Sequence, residues 1–425
     1  MKMTKSIWLA LLCLFTGNLY SQVTENKSEF DQAQELKQLK TEVKDNLINN
    51  ILPFWSGKMT DEKNGGFYGR IDVNDKLHPD AYKGGILNAR ILWTFSSAFL
   101  VLRDSSYLRL ALRARDYIFS HFLDSKFGGA YMSVNSKGEP LDSRKQIYTQ
   151  SFFIYALTEY YRATGDKEAL IKAKEIFELI EKYGFDNISN GYFEIYSREW
   201  NRVHDRLIGE KSGDDQKGMN THLHILEAYT NLYRAWPDER VAERLRNLIL
   251  LFEEKIINQK TFHLNYFMNE KWEIATSKDS YGHDIEASWL LTEAAGLLKD
   301  PALMAKVRAM SIKMVNAASE GLQADGSLVY EKDNKTGDID AKREWWSQAE
   351  GVVGFVNAYE ITNDASYLRK AISMWKYIDK NIVDHKNGDW YYDVDEKGIP
   401  SGDKAGPWKC PYHSSRMCME IIERL

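Results

Sequence analysis

Apolar residues recur at three- and four-residue steps through most of the chain, the period of a helix that buries one face. The stretches "SYLRLALRARDYIFSHFLD", "QSFFIYALTEYYRATGD", "EALIKAKEIFELIEKYG", "THLHILEAYTNLYRAW", "ERLRNLILLFEEKII" and "SYLRKAISMWKYIDKNIVD" share this pattern. Several close on Gly or on a break rich in Asp, as helices do. Between them returns a shorter segment of Gly, aromatics and alternating residues. It reads "NGGFYGRID", "FGGAYMSVNSKGEPLD", "NGYFEIYSREW", "TFHLNYFMNEKWEI", "DGSLVYEKD" and "NGDWYYDVDEKGIP", each predicting a small hairpin.

The hairpins are evenly spaced. With Gly66, Gly129, Gly191, Phe262, Gly326 and Gly388 as markers, the intervals are 63, 62, 71, 64 and 62 residues. Such a period, with a helix pair and a hairpin in each unit, marks a repeat architecture whose units cannot bury their apolar faces alone. Six units with no change in composition and no Pro- or Ser-rich linker point to one closed body. The predicted fold class is all-α: an (α/α)6 barrel of six inner and six outer helices, with short β-hairpins in the loops at one mouth. Residues 22–425 are expected to form this single catalytic domain, with the charged, weakly periodic residues 22 to about 45 leading into the first helix.

The first 21 residues depart from the pattern. Lys2 and Lys5 precede the apolar run "IWLALLCLF", and Ser21 offers a small residue for cleavage. This predicts an export signal, because the run is too short to span a bilayer. Leu12 before Cys13 is too large for a good lipoprotein site, so a soluble, periplasmic product is expected. After removal only Cys410 and Cys418 remain. An oxidising compartment permits a disulfide between them, but two buried thiols are the expectation. A net charge of −5 gives no electrostatic case for nucleic acid or an anionic membrane. The expected state is a monomer or weak homo-oligomer. The 13% aromatic content, with 12 Trp and 24 Tyr, changes the picture more, since aromatic excess in an exported protein commonly supplies stacking surfaces for sugars.

Candidate chemistry follows from helical spacing. Asn220 and His224 stand four apart, on one helix face, while His222 points elsewhere. His283 and Glu286 stand three apart, and a carboxylate beside an imidazole favours and orients the imidazolium. Trp345 and Trp346 are adjacent and cannot both fill one core space, so one is expected to line a cavity. Trp408 and His413 follow the sixth hairpin, at the level of the mouth. Arg90 lies near the start of an otherwise apolar helix, where a buried guanidinium needs a partner or a ligand. Tyr148 and Phe152 share a face. Singly, each of these is more often core than site. Together they converge on histidine, whose ordinary pKa suits proton abstraction and return near neutrality. No phosphate loop, H-E-x-x-H, G-x-S-x-G or metal-type cysteine spacing occurs, and neither metal nor cofactor is expected.

The stretches "KGGILNARILWTFS", "NTHLHILEAYTNLYR", "GHDIEASWLL", "EWWSQAEG" and "WKCPYHSSRMCMEI" resemble signature segments of the cellobiose 2-epimerases, within the N-acylglucosamine 2-epimerase superfamily. The resemblance runs from about Asn46 to the C-terminus. It implies an (α/α)6 barrel that inverts C2 of the reducing-end sugar in β-1,4-linked disaccharides, cellobiose or mannobiose, without cofactor or metal. By that resemblance His283 and His413 are the proton-transfer pair and His224 supports ring opening. Arg90, Asn220 and Tyr148 bind hydroxyls and the enediolate oxygen, and Glu286 tunes a histidine. Trp345, Trp346 and Trp408 contact the disaccharide. The export signal and the flanking Arg343 and Ser347 vary from the common pattern. From the residues alone, an aldose–ketose isomerase, a glycoside hydrolase and a sugar-binding protein stay open.

Overall fold

A computed structural model describes residues 32–203 and 217–425. The periodic stretches fold as helix pairs. In chain order they are α1 (32–57) and α2 (Gly85–Leu102), then α3 (Ser105–Tyr117) and α4 (Ile147–Thr164). Next come α5 (Lys167–Leu179) with α6 (Met219–Ala235), and α7 (Glu239–Leu251) with α8 (Tyr281–Leu297). The last are α9 (Pro301–Ala318) with α10 (Trp345–Thr362), and α11 (Ala365–Asn381) with α12 (Tyr412–Arg424). Even-numbered helices pack in a ring, each on the next, and α12 closes on α2. The predicted (α/α)6 barrel is the observed fold.

Burial explains which helix goes where. α2 is buried continuously from Gly85 to Ala98, whereas α3 buries only Ala111, Ala114 and Tyr117. An inner helix is enclosed by both neighbours and its outer partner, so its polar residues must find partners inside the protein. α2 is also apolar and long enough to cross a membrane, but it is the wall of the barrel. Five outer helices begin alike: Asp104, Asp166, Asp238, Asp300 and Asp364 each cap a first turn by accepting from backbone N–H groups. Such caps contribute about 1 kcal/mol apiece.

The hairpins tie neighbouring units together. The short strand before each of five inner helices pairs antiparallel with the hairpin of the following unit: Lys83–Gly84 with Ser133–Val134, Lys145–Gln146 with Ile195–Tyr196, and Lys217–Gly218 with Phe267–Met268. Lys278–Ser280 with Glu331–Asp333 and Arg343–Glu344 with Asp393–Val394 continue the belt. A bridge between Ile71 and Ala405 joins first unit to last. Under the belt, buried lysines reach back to hairpin aspartates: Lys83 to Asp61 at 2.8 Å, Lys145 to Asp124 at 3.0 Å, Lys217 to Asp186 at 2.8 Å and Lys409 to Asp389 at 2.7 Å. The inner helices' first turns clamp the same hairpins. Gln150 bonds the Ala130 backbone, Gln348 that of Leu328, and His222 Nε2 accepts from Tyr192 N. His222 therefore serves the fold, away from His224.

One expectation changes. The stretch 22 to 45 is not merely a lead-in: helix is present from residue 32, with Leu39, Val43 and Leu47 buried at four-residue steps on a face too narrow to stand out among charges. The export signal over 1–21 lies outside the described residues. Cys410 and Cys418 are both free and buried.

Candidate active site

Three inner helices each bring one histidine to the barrel interior. His224 on α6 is 3% exposed, and His283 on α8 and His413 on α12 are 5% exposed. Each is anchored through Nδ1: to Glu227 Oε2 at 2.8 Å, to Ser280 Oγ at 2.7 Å, and to Glu350 Oε1 at 2.6 Å. Among the described residues, no hydrogen bond engages the Nε2 of any of the three. Burial pushes all three imidazoles below their ordinary pKa, His283 to about 3 with His224 adding to the effect, and the cations Arg90 and Arg416 hold His413 down further. They are neutral bases at neutral pH.

Aromatic rings link them. Trp346 lies 4.5 Å from the His283 ring and 5.8 Å from that of His413, and Trp345 lies 6.1 Å from His413. The Trp346 approach depends on Gly282, where a Cβ would fall 2.6 Å from Ser347 Cβ and 2.8 Å from the indole. Tyr148 stands 4.9 Å from His224 and 6.1 Å from Trp408. Trp408 is half exposed at the mouth, beside a cavity of about 420 Å³ bordered by Tyr82, Leu141, Gln146 and Thr149.

Arg90, 3% exposed, donates Nη2 to Tyr148 Oη at 2.9 Å and Nη1 to Cys410 Sγ at 3.5 Å. Its guanidinium sits 4.1 Å from the Phe152 ring and 4.9 Å from that of Tyr412. Among the described residues no carboxylate pairs with it, so a buried positive charge is balanced only by aromatic faces and neutral acceptors. Asn220 shares the His224 face, and its Oδ1 is buried with no partner. Such a group is satisfied when a ligand supplies a hydroxyl.

Beneath the imidazoles lies a charge network that sequence reasoning did not single out. Arg416 on α12 donates Nη2 to Glu286 at 2.7 Å and to Glu350 at 2.6 Å, and Nη1 to Glu227. Tyr412 also donates to Glu227. Burial alone would raise Glu227, but Arg416 and His224 overcome it and hold the carboxyl at about 2. Burial raises both Glu286 and Glu350, and their mutual repulsion raises Glu286 further. Glu350 Oε1 accepts from both His413 and Arg416, and its Oε2 from Trp289, so Glu350 is the better placed to stay ionised. Glu286, Glu350 and His413 converge within 4.8 Å, but Arg416 already neutralises the carboxylates there.

The expected pairing of Glu286 with His283 does not form. The same helix places them three apart, yet Ser280 takes His283 Nδ1, and Glu286 bonds Arg416 and lies 3.9 Å from His413 Nδ1. Spacing fixes a face, not which neighbour's cation or hydroxyl lies across it. The missed Glu227 and Arg416 left a trace: each stands three residues beyond a histidine, in "HILE" and "HSSR". Ser280 left a similar trace, three residues before His283, whereas Glu350 left none.

The family model for N-acylglucosamine 2-epimerase (GlcNAc 2-epimerase) matches residues 66–416. A cellobiose 2-epimerase of Bacteroides fragilis is 49% identical over 386 residues, covering 90% of this chain and 98% of that protein. The solved cellobiose 2-epimerase from Bacillus thermoamylovorans superposes with a TM-score of 0.88 at 43% identity, covering 92% of this chain and all of that one. A solved D-mannose isomerase at 19% identity, TM-score 0.80, covering 91% of this chain and 98% of that one, shares the fold. Six helix pairs closed around buried imidazoles, and a match across most of the length, lead to one conclusion: the chain is a carbohydrate epimerase that belongs to the N-acylglucosamine 2-epimerase family.

Proposed function

We propose that the protein inverts C2 of the reducing-end glucose or mannose of a β-1,4-linked disaccharide, such as cellobiose or mannobiose. The observation that carries this reading is the set of neutral imidazoles, anchored at Nδ1 and, among the described residues, unengaged at Nε2, beside an Arg90 that no described carboxylate neutralises. Proton removal from a carbon needs neutral bases and a waiting cation; both are present. The cellobiose 2-epimerases at 49% and 43% identity support the substrate class.

The sugar first opens, because only the aldehyde acidifies the C2 proton; His224, oriented by Glu227, assists that proton movement. Nε2 of His283 or His413 then takes the C2 proton. The C–H electron pair moves into a cis-enediolate, whose oxygen Arg90 faces. Preorganised charge of this kind commonly contributes most to rate. The other histidine, carrying at Nε2 a proton taken up from water, delivers it to the opposite face, the first releases its proton to water, and ring closure completes inversion. Trp408 and the cavity beside Tyr82 hold the second sugar, whose apolar face stacks while hydroxyls reach Gln146 and Thr149. Residues 1–21 direct export to the periplasm, and the protein works there as a monomer or weak homo-oligomer.

Incubation with cellobiose in D2O tests the reading. Glucosyl-mannose carrying deuterium at C2 is expected. The fold shared with D-mannose isomerase favours one rival, aldose–ketose isomerisation, and cellobiulose as the main product would establish it. Release of glucose would instead mark a hydrolase.

A further inference from the structure

Ser280 stands at the N-cap of α8, where a serine hydroxyl ordinarily accepts from first-turn backbone N–H groups. Here it makes no such bond. Its Oγ lies 2.7 Å from His283 Nδ1, and the residue is 2% exposed. The backbone holding it is fixed by the pairing of Lys278–Ser280 with Glu331–Asp333.

The other inner-helix imidazoles show what is different. His222 Nδ1 meets the Gly218 carbonyl at 2.8 Å, His224 meets Glu227, and His413 meets Glu350. A carbonyl or an ionised carboxylate only accepts, so each of these rings is locked as the Nδ1–H tautomer. A hydroxyl donates or accepts. We propose that Ser280 is a positioning residue that fixes the His283 ring while leaving both neutral tautomers open, so that Nε2 presents either a lone pair to a C–H bond or an N–H to a sugar oxygen. This rests on the reading of His283 as a C2 proton-transfer group.

The arrangement also makes the two proton-transfer histidines unequal. When Nε2 of His283 takes the C2 proton, the C–H electron pair stays on the substrate as enediolate and the ring becomes imidazolium. That cation has a hydroxyl at Nδ1, not a carboxylate. Its counter-charge is therefore the enediolate itself, whereas a cation on His413 meets Glu350 at Nδ1 but is opposed by the charges of Arg90 and Arg416.

The test uses the full-length protein, 15N-labelled at histidine, with S280A, S280T and S280D variants. In the parent, the His283 ring nitrogens are expected at shifts averaged between the neutral tautomers, while His224 and His413 each show one Nδ1–H form. S280D is expected to lock His283 as Nδ1–H and move the acidic limb of kcat/KM up by about one pH unit, because a carboxylate favours imidazolium. S280A is expected to lower kcat about ten-fold, the scale of one positioning hydrogen bond, with KM little changed, and S280T to restore it. A single His283 tautomer in the parent overturns the proposal, as does an S280D profile that coincides with the parent's. If S280D does not fold, the parent spectrum decides. The spectrum is read without substrate, so mixed tautomers in a protein that makes no epimer would sink the proposed function and leave the role of Ser280 standing.

Discussion

Replacing Arg416 with methionine removes the guanidinium that bonds Glu227, Glu286 and Glu350, each no more than 2% exposed. Removing one partner of a buried ion pair costs about 3–5 kcal/mol, because the remaining charge stays desolvated. Here three carboxylates lose one cation, so the upper end is expected. The pH dependence is the sharper signature. Burial and the neighbouring Glu350 already hold Glu286 well above its ordinary value in the native state, whereas Arg416 and Trp289 limit the rise of Glu350. The native protein thus keeps protons that the unfolded chain releases above about 4.3, and stability is lost as pH rises through the native values. Without Arg416 those values climb further and Glu227 joins them. Each extra retained proton widens the deficit by about 1.4 kcal/mol per pH unit, so one proton adds ~4 kcal/mol between pH 5 and pH 8. Urea unfolding followed by tryptophan fluorescence at both pH values measures this. A deficit below about 1 kcal/mol, or one equal at the two pH values, would refute the shared-cation network.

Three further outcomes are expected. H283A and H413A should each lower kcat by about 10²–10⁴ while circular dichroism stays native, and wild-type turnover in either would remove that residue from the chemistry. W408A should raise KM for cellobiose by about ten-fold with a smaller effect on kcat, the signature of lost uniform binding; an unchanged KM would place the second sugar elsewhere. His263, bonded to Asp284 at 2.7 Å, is raised to about 9, the carboxylates Asp284, Asp279 and Glu320 outweighing its burial. That stabilisation is complete below its unfolded value near 6.5 and is lost as pH rises through 9. Burial raises Asp284 to about 6, so the pair is fully ionised only above that; H263Q should lower stability by about 2 kcal/mol at pH 7 and converge with the parent above pH 10, and an equal deficit at both would contradict the pairing.

Much of the fold was legible because a repeat writes the same physics six times. The hairpin markers Gly66 to Gly388 gave the period, and a second marker was available: Asp104, Asp166, Asp238, Asp300 and Asp364 stand 62, 72, 62 and 64 residues apart as helix caps. Inner and outer helices also declared themselves, since α2 is apolar nearly throughout and α3 on one stripe only. Histidines as the converging chemistry could be picked from their scarcity and helical spacing, as could Arg90 from its apolar setting. The charge network could not. Glu227, Glu286, Glu350 and Arg416 come from α6, α8, α10 and α12, and nothing in any one helix says which carboxylate a guanidinium three helices away will reach.

The sequence by itself thus determined the repeat period, the order of the helix pairs, and which polar residues share a helix face, because each follows from periodicity along the chain. Only the tertiary structure decided the partner at each Nδ1: Ser280 for His283, Glu350 rather than Glu286 for His413. The first is a contact within one helix turn, which spacing alone does not choose over Glu286, and the second is made by ring closure, which brings residues 63 positions apart within hydrogen-bonding distance. In a water-excluded interior such distances, more than residue type, fix the protonation of every group in the site.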